Sequence, residues 1–130
     1  MSHEDFSSIL VTDIMSTPLI SVSPDTTAFQ ISRMMEQGDL GAIIVKKNGI
    51  PVGIITDRDF ATNVAANYLS FDTPVEKIMS SPLVTINHDE PISSAAKIMS
   101  SKKIRKLAVS ENGKIIGIIT STDLVNQIAK

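Results

Sequence analysis

The sequence predicts an α+β fold of two tandem β-α-β-β-α motifs packed sheet to sheet with pseudo-two-fold symmetry. A repeat, a pair of hairpin turns and a helical spacing of apolar residues predict it. Shifted by 64 residues, positions 11–65 of the 130-residue chain fall on 75–129 without a gap, and about 17 of the 55 aligned positions are identical. Each copy then holds an Asn-Gly pair, Asn48-Gly49 and Asn112-Gly113, between two short apolar runs. Asn-Gly supplies the two positive φ angles of a two-residue hairpin turn. Ahead of the second hairpin Ile92, Ala95, Ala96 and Met99 fall at i, i+3, i+4 and i+7, one face of a helix. A single repeat of this size leaves one sheet face open, and two copies packed together cover it.

The elements follow in order. Each copy opens on Val-x-x-Ile-Met-Ser-x-Pro-Leu, at 11–19 and 75–83. A short apolar strand after the proline is expected at 19–22 and 83–86. Asp25 and Asp89 stand where a helix should start and are the expected N-caps, since a short polar side chain there accepts from the free amides of the first turn. The helix of the first copy shows Ala28, Ile31, Met34 and Met35 on its apolar side. Buried strands are expected at 42–45 and 107–109, and return strands at 52–55 and 115–119. A closing helix places Phe60, Ala61, Val64 and Ala65 in register with Leu124, Val125, Ile128 and Ala129. The chain thus divides into an N-terminal extension (1–10), motif 1 (11–66), a linker (67–74) and motif 2 (75–130).

Composition narrows the function classes. Hydrophobic residues make 42% of the chain but aromatics only 4%, so the core is aliphatic. A net charge of −2 argues against a nucleic-acid-binding face, which is usually strongly basic. With no cysteine, disulfides, thiolate zinc sites and thiol catalysis are excluded. The start Met1-Ser2-His3-Glu4-Asp5 lacks the basic and apolar regions of a signal peptide. The apolar runs at 42–45 and 50–55 are far too short to span a bilayer. A cytoplasmic protein away from membranes is expected.

The opening Met-Ser-x-Pro, the Asn-Gly hairpin and the closing Gly-h-h-Thr-x-x-Asp (h, apolar), at 53–59 and 117–123, resemble the CBS motif, here as a tandem pair or Bateman module. The resemblance covers about residues 11–129 and leaves no stretch for a catalytic domain. It implies two related sites in the cleft between the motifs for adenosine-containing ligands: AMP, ADP, ATP, S-adenosylmethionine or molecules of the NAD type. By the same resemblance Asp59 and Asp123 accept from the ribose hydroxyls, and Thr56 and Thr120 bind ribose or phosphate. The adenine would lie near Thr17, Pro18, Leu19 and Ile20 in one site and near Ser81, Pro82, Leu83 and Val84 in the other. Physical chemistry agrees with the ribose role, because a carboxylate is an acceptor pair matched to the two donors of a cis-diol. With no Trp and one Tyr, aromatic stacking is not the available way to hold the base.

Each of these residues also has a purely structural reading. Thr-x-x-Asp before an apolar helix is a capping box, in which threonine caps the helix and the acid reaches back; a lone instance favours capping, and two at the same place in this repeat favour ligand contact. Lys102, Lys103, Arg105 and Lys106 either meet a helix C-terminal dipole or, for Arg105 and Lys106, face ligand phosphates as the resemblance implies. The first copy has Gly41 and Ala42 opposite that last pair, so the fold does not require the charges. On the family's arrangement Arg105 and Lys106 serve the site of Thr56, Asp59 and Val84, with Arg58 available as well, which makes that site the tighter one for phosphates. Arg58 can equally pair with a neighbouring acid, and Lys46 and Lys47 suit a solvated surface. His3 and His88 lack metal-ligand spacing, and the six Met suit core filling.

No nucleophile–base pair, metal cluster or Gly-rich phosphate loop is legible, so an enzyme is not expected, nor any cofactor beyond a regulatory nucleotide. Two functions remain. The first is a sensor in which nucleotide binding shifts the arrangement of the copies, or of two chains, for an effector protein to read. The second is a constitutive dimerisation module without a physiological ligand. A homodimer through helices bearing Phe29, Met34, Phe60 and Leu124 is expected in either case.

Overall fold

The computed structural model describes residues 8–17, 19–38 and 40–129; His3 and Pro18 lie outside them. The elements are α1 (Val11–Ile14), β1 (Ser21–Val22), α2 (Ala28–Gly38), β2 (Ala42–Lys47) and β3 (Ile50–Thr56). A short α3 (Asp57–Asp59) runs on as a π-helical turn, Phe60–Ala65, and a 3₁₀ turn follows at Val75–Lys77. Then come β4 (Thr85–Asn87), α4 (Ile92–Lys102), β5 (Lys106–Glu111), β6 (Lys114–Thr120) and α5 (Ser121–Ile128). They form two three-stranded sheets, β1-β2-β3 and β4-β5-β6. In each the first pair is parallel and the second antiparallel. The mixed α+β class read from the sequence is the observed one.

The chain forms two compact units. Ile20–Leu83 makes one, and the described residues before Ile20 join those after Leu83 to make the other. Each unit therefore sets the opening segment of one sequence repeat on the body of the other. In the first unit the Val75 and Glu76 amides donate to the Thr26 and Pro24 carbonyls at 2.7 and 3.1 Å, and the Ala28 amide donates to Thr73 O at 2.8 Å. In the second, Val11 and Thr12 donate to Glu90 and His88 at 2.8 and 3.0 Å, and Ile92 donates to Ile9 O at 2.9 Å. These are the same three bonds displaced by the 64-residue repeat.

Burial explains the strands. Ile43, Ile44 and Val45 of β2, and Leu107, Ala108 and Val109 of β5, are buried in succession, as in a strand covered on both faces. One core gathers Ala28, Ile31, Ile43, Val45, Ile55, Val64, Val75 and Ile78. The other gathers Val11, Ile86, Ile92, Ala95, Met99, Leu107, Val109, Ile119 and Leu124. The predicted faces of α2 and α4 point into these cores, with Met34, Met35 and Ala96 at their margins. Both Asn-Gly pairs turn as expected, with φ of 53° and 79° at Asn48-Gly49 and 51° and 79° at Asn112-Gly113.

Three expectations are corrected. Asp25 and Asp89 do not cap helices. Thr27 caps α2, since its Oγ1 accepts from the Gln30 amide at 3.2 Å while Gln30 Oε1 accepts from the Thr27 amide at 3.0 Å. Asp25 instead accepts from the Ser23 hydroxyl. Pro91 is the N-cap of α4, without a side-chain cap; the first amide is satisfied by the Ile9 carbonyl. The strands after the prolines also begin later, at Ser21 and Thr85. Ile20 and Val84 reach the ladder only through their carbonyls, which accept from Ile44 and Ala108 at 3.0 and 3.2 Å. Finally, the closing helices bury less than their pattern implied. Val64 and Leu124 are buried, whereas Val125 and Ile128 are 59% and 61% exposed, and the inward partner of Leu124 is Gln127.

Candidate functional site

The site residues sit where β3 and β6 end. Each strand carries Gly-Ile-Ile through the core and emerges at a half-buried threonine. Register fixes that exit, because Ala42 pairs with Thr56 and Lys106 with Thr120. The next amide in each copy donates back to the start of the partner strand, Asp57 to Gly41 O at 3.1 Å and Ser121 to Arg105 O at 2.8 Å. Behind the strands the glycines admit a close neighbour. A Cβ on Gly53 would lie 2.6 Å from Met79 Sδ and 2.8 Å from the Ser80 carbonyl oxygen, and one on Gly117 would lie 2.8 and 3.0 Å from the equivalent Met15 and Ser16 atoms. The opening Met-Ser of each repeat is thus pressed against the strand that carries the site. Ser80 exchanges two backbone hydrogen bonds with Ile54, and Ser16 does the same with Ile118.

Both threonines make the reciprocal capping box. Thr56 Oγ1 accepts from the Asp59 amide at 3.1 Å, and Asp59 Oδ2 accepts from the Thr56 amide at 3.0 Å. The Thr120–Asp123 distances are 3.2 and 2.8 Å. Capping and ligand contact are compatible, since a carboxylate has about four acceptor positions and the box uses one of them. Both aspartates are half-buried. Neither forms an ion pair among the described residues, so each presents uncompensated acceptor capacity at the protein surface.

The two boxes differ in one contact. Ser80 Oγ donates to Asp59 Oδ1 at 2.9 Å. Ser16, its counterpart, makes no such bond to Asp123, and Asp123 Oδ1 has no partner among the described residues. Ser80 was not among the residues read as functional. Its signal was present all the same, in the serine that precedes both Ser/Thr-Pro steps at the same repeat position.

The remaining expected residues divide between the units. Ile20, Thr56, Arg58, Asp59, Ser81 and Leu83 belong to one. Thr17, Leu19, Val84, Arg105, Lys106, Thr120 and Asp123 belong to the other. Leu19, Ile20, Leu83 and Val84 are half-buried, and Thr17 and Ser81 are exposed. Arg58 and Arg105 are exposed and form no ion pair among the described residues, so the pairing of Arg58 with a neighbouring acid is not observed. Lys106 starts β5 paired with Thr120, and Arg105 stands just before it, both in the unit of Asp123. His88 stands 4.0 Å from Glu111 Oε1, and among the described residues no group of His, Asp and Glu could hold a metal. A surface hollow of about 460 Å³ is lined by Thr85, Ile86, Asn87, Glu90, Ser94, Lys97 and Ile98, none of them an expected site residue. No helix among the described residues is long and apolar enough to cross a membrane.

Two like α+β units, each closing a sheet on a half-buried Thr-x-x-Asp box, define a tandem-repeat protein with duplicated polar sites. The chain belongs to the CBS domain family, whose model matches residues 11–66 and 75–130. It is 35% identical over 120 residues to the CBS domain-containing protein YhcV of Bacillus subtilis, covering 92% of this chain and 86% of that protein. It is 36% identical to the uncharacterized protein MK0525 of Methanopyrus kandleri, covering 91% of this chain and 62% of that longer protein. Among solved structures it superposes on an uncharacterized conserved protein from Pyrococcus horikoshii with a TM-score of 0.88, 31% identity and 95% of each chain covered. It also matches the CBS domain pair of protein MJ0100 in complex with 5′-methylthioadenosine and S-adenosyl-L-methionine, with a TM-score of 0.83, 28% identity and 93% and 96% coverage.

Proposed function

We propose that this chain is a regulatory module that binds an adenosine-containing ligand, of the class of AMP, ADP, ATP or S-adenosylmethionine, and performs no catalysis. The observation that carries the reading is the duplicated box, in which a half-buried aspartate without an ion pair among the described residues keeps acceptor capacity beyond its cap. The adenosine ligands of a solved CBS pair of similar fold support the same class. In this reading Asp59 and Asp123 take the ribose hydroxyls, with Thr56 and Thr120 beside them. Leu19, Ile20, Leu83 and Val84, with Thr17 and Ser81, supply the surface for adenine, and Arg58, Arg105 and Lys106 supply charge for phosphates. Binding biases a conformational equilibrium that an effector protein reads, and it does so only by its differential affinity for the two states.

A constitutive dimerisation module is the second reading. The exposed apolar residues of α5, Val125 and Ile128, and Phe29 of α2 favour it. Thermal denaturation with AMP, ADP, ATP, S-adenosylmethionine, NAD and, as a control, GMP separates the two. The sensor reading expects a rise in melting temperature with at least one adenosine compound and none with GMP. An unchanged melting temperature across the whole series would leave the dimerisation module standing.

A further inference from the structure

We infer that the two ribose-reading carboxylates are not equivalent, and that Ser80 is the residue that sets them apart. Its hydroxyl competes with ligand for Asp59, whereas Asp123 is open. The inference rests on the reading of the boxes as nucleoside sites. Asp59 spends Oδ2 on the Thr56 amide and Oδ1 on Ser80 Oγ at 2.9 Å. Of about four acceptor positions on a carboxylate, two remain, one on each oxygen, and both oxygens already carry a donor. Asp123 spends only Oδ2, on the Thr120 amide at 2.8 Å, and about three positions remain, including the whole of Oδ1.

The difference does not come from the boxes themselves. Both boxes have the same partners and nearly the same distances. Both serines are exposed and held by the same pair of backbone bonds, to Ile54 in one unit and Ile118 in the other. What differs is the helix that follows. After Asp59 it widens into the π-helical turn Phe60–Ala65, and Asn63 Nδ2 reaches the Ile78 carbonyl at 2.8 Å. That bond ties the helix to the segment carrying Ser80. After Asp123 the helix is a regular α-helix, Ser121–Ile128, and no equivalent tie from Gln127 is present among the described residues. A diol arriving at Asp59 must share or displace the Ser80 hydroxyl, and one arriving at Asp123 displaces nothing. Ser80 is thus a specificity-determining residue that ranks the two sites for the nucleoside end of the ligand, apart from any phosphate contribution.

The test uses calorimetry on the full chain with one box disabled at a time, and AMP and S-adenosylmethionine as probes. In an Asp123→Ala background, which leaves the Asp59 site, Ser80→Ala is expected to tighten binding about two- to tenfold, the net worth of one ordinary hydrogen bond. In an Asp59→Ala background, Ser16→Ala is expected to change nothing. The gain from Ser80→Ala should disappear with 2′-deoxy-AMP, which lacks one of the competing hydroxyls. Unchanged or weaker binding in Ser80→Ala, or an equal gain from Ser16→Ala, would overturn the inference while leaving both boxes as nucleoside sites. Failure of both probes to bind the wild-type chain and every variant would overturn the nucleoside reading itself, and the inference with it.

Discussion

Asp59 and Asp123 each close a capping box and, on the proposed function, also read a ribose; substitutions separate the two roles. Replacing either with alanine removes the N3 carboxylate of a capping box, and its bond from the threonine amide, a bond to a charged group, is worth about 1.5–3 kcal/mol. It also removes a charged acceptor for the ligand, and each bond to a charged group is worth about 1.5–3 kcal/mol, so affinity at that site should fall about 10- to 100-fold. Asn keeps an oxygen for the threonine amide but loses the charge. Asp59→Asn and Asp123→Asn should therefore hold most of the stability and still lose affinity, as read by denaturant melts and calorimetry on the same samples. Binding that survives undiminished in both Asn variants and in the double variant would reduce the boxes to helix caps. Ser80 shows where sequence reading stops at this scale. The capping box spans three residues and is written in local spacing, whereas the Ser80–Asp59 bond spans 21 positions and follows only from the strand register that brings Ser80 against Ile54.

Among the elements, the hairpins and the apolar faces of α2 and α4 were legible because their causes are local: an Asn-Gly turn needs positive φ, and a helix face needs a 3.6-residue period. The helix starts were less so. Asp25 and Asp89 have the right chemistry for caps, but Thr27 with Gln30 offers a complete reciprocal box, and the first amide of α4, at Ile92, donates to the distant Ile9 carbonyl. The π-helical turn after Asp59 left no mark in the apolar pattern. Gly53 and Gly117 give a test at this scale. A Cβ on Gly53 meets the Ser80 carbonyl, which is fixed by its bond from the Ile54 amide at 3.0 Å. Gly53→Ala should cost about 1–3 kcal/mol, as overpacking does. Gly117→Ala should cost less, because its Cβ stands 3.0 Å from the equivalent carbonyl instead of 2.8 Å. Urea denaturation of the two variants checks the order, and a Gly53→Ala protein as stable as wild type would show that the opening Met79-Ser80 segment can move aside.

For the whole molecule, the repeat was legible from identities at a fixed shift, and the mixed α+β class followed from it. The segment exchange was not, because a repeat shows which residues correspond and not which copy they pack on. Of the residues expected at a homodimer contact, Phe29 is exposed, Met34 and Phe60 are half-buried and Leu124 is buried within its own unit, while Val125 and Ile128 add exposed apolar side chains on α5. The full chain should have a dimer mass in light scattering at micromolar concentration. Replacing Val125 and Ile128 together with aspartate should shift it to monomer without unfolding, since neither side chain is in a core. A monomer mass for the wild-type chain would contradict this.

On the proposed function the duplicated aspartates make this chain a binding module for adenosine compounds. The most direct measurement is thermal denaturation of the wild-type chain and of Asp59→Ala/Asp123→Ala, with AMP or S-adenosylmethionine at saturating concentration. Ligand at about a hundred times Kd stabilises a folded chain by about 2.7 kcal/mol, a shift of several degrees. That shift is expected in the wild type with at least one of the two ligands, and its loss in a double variant that still melts cooperatively without ligand. An equal shift in both proteins would contradict it, because the ligand would then be held without the carboxylates.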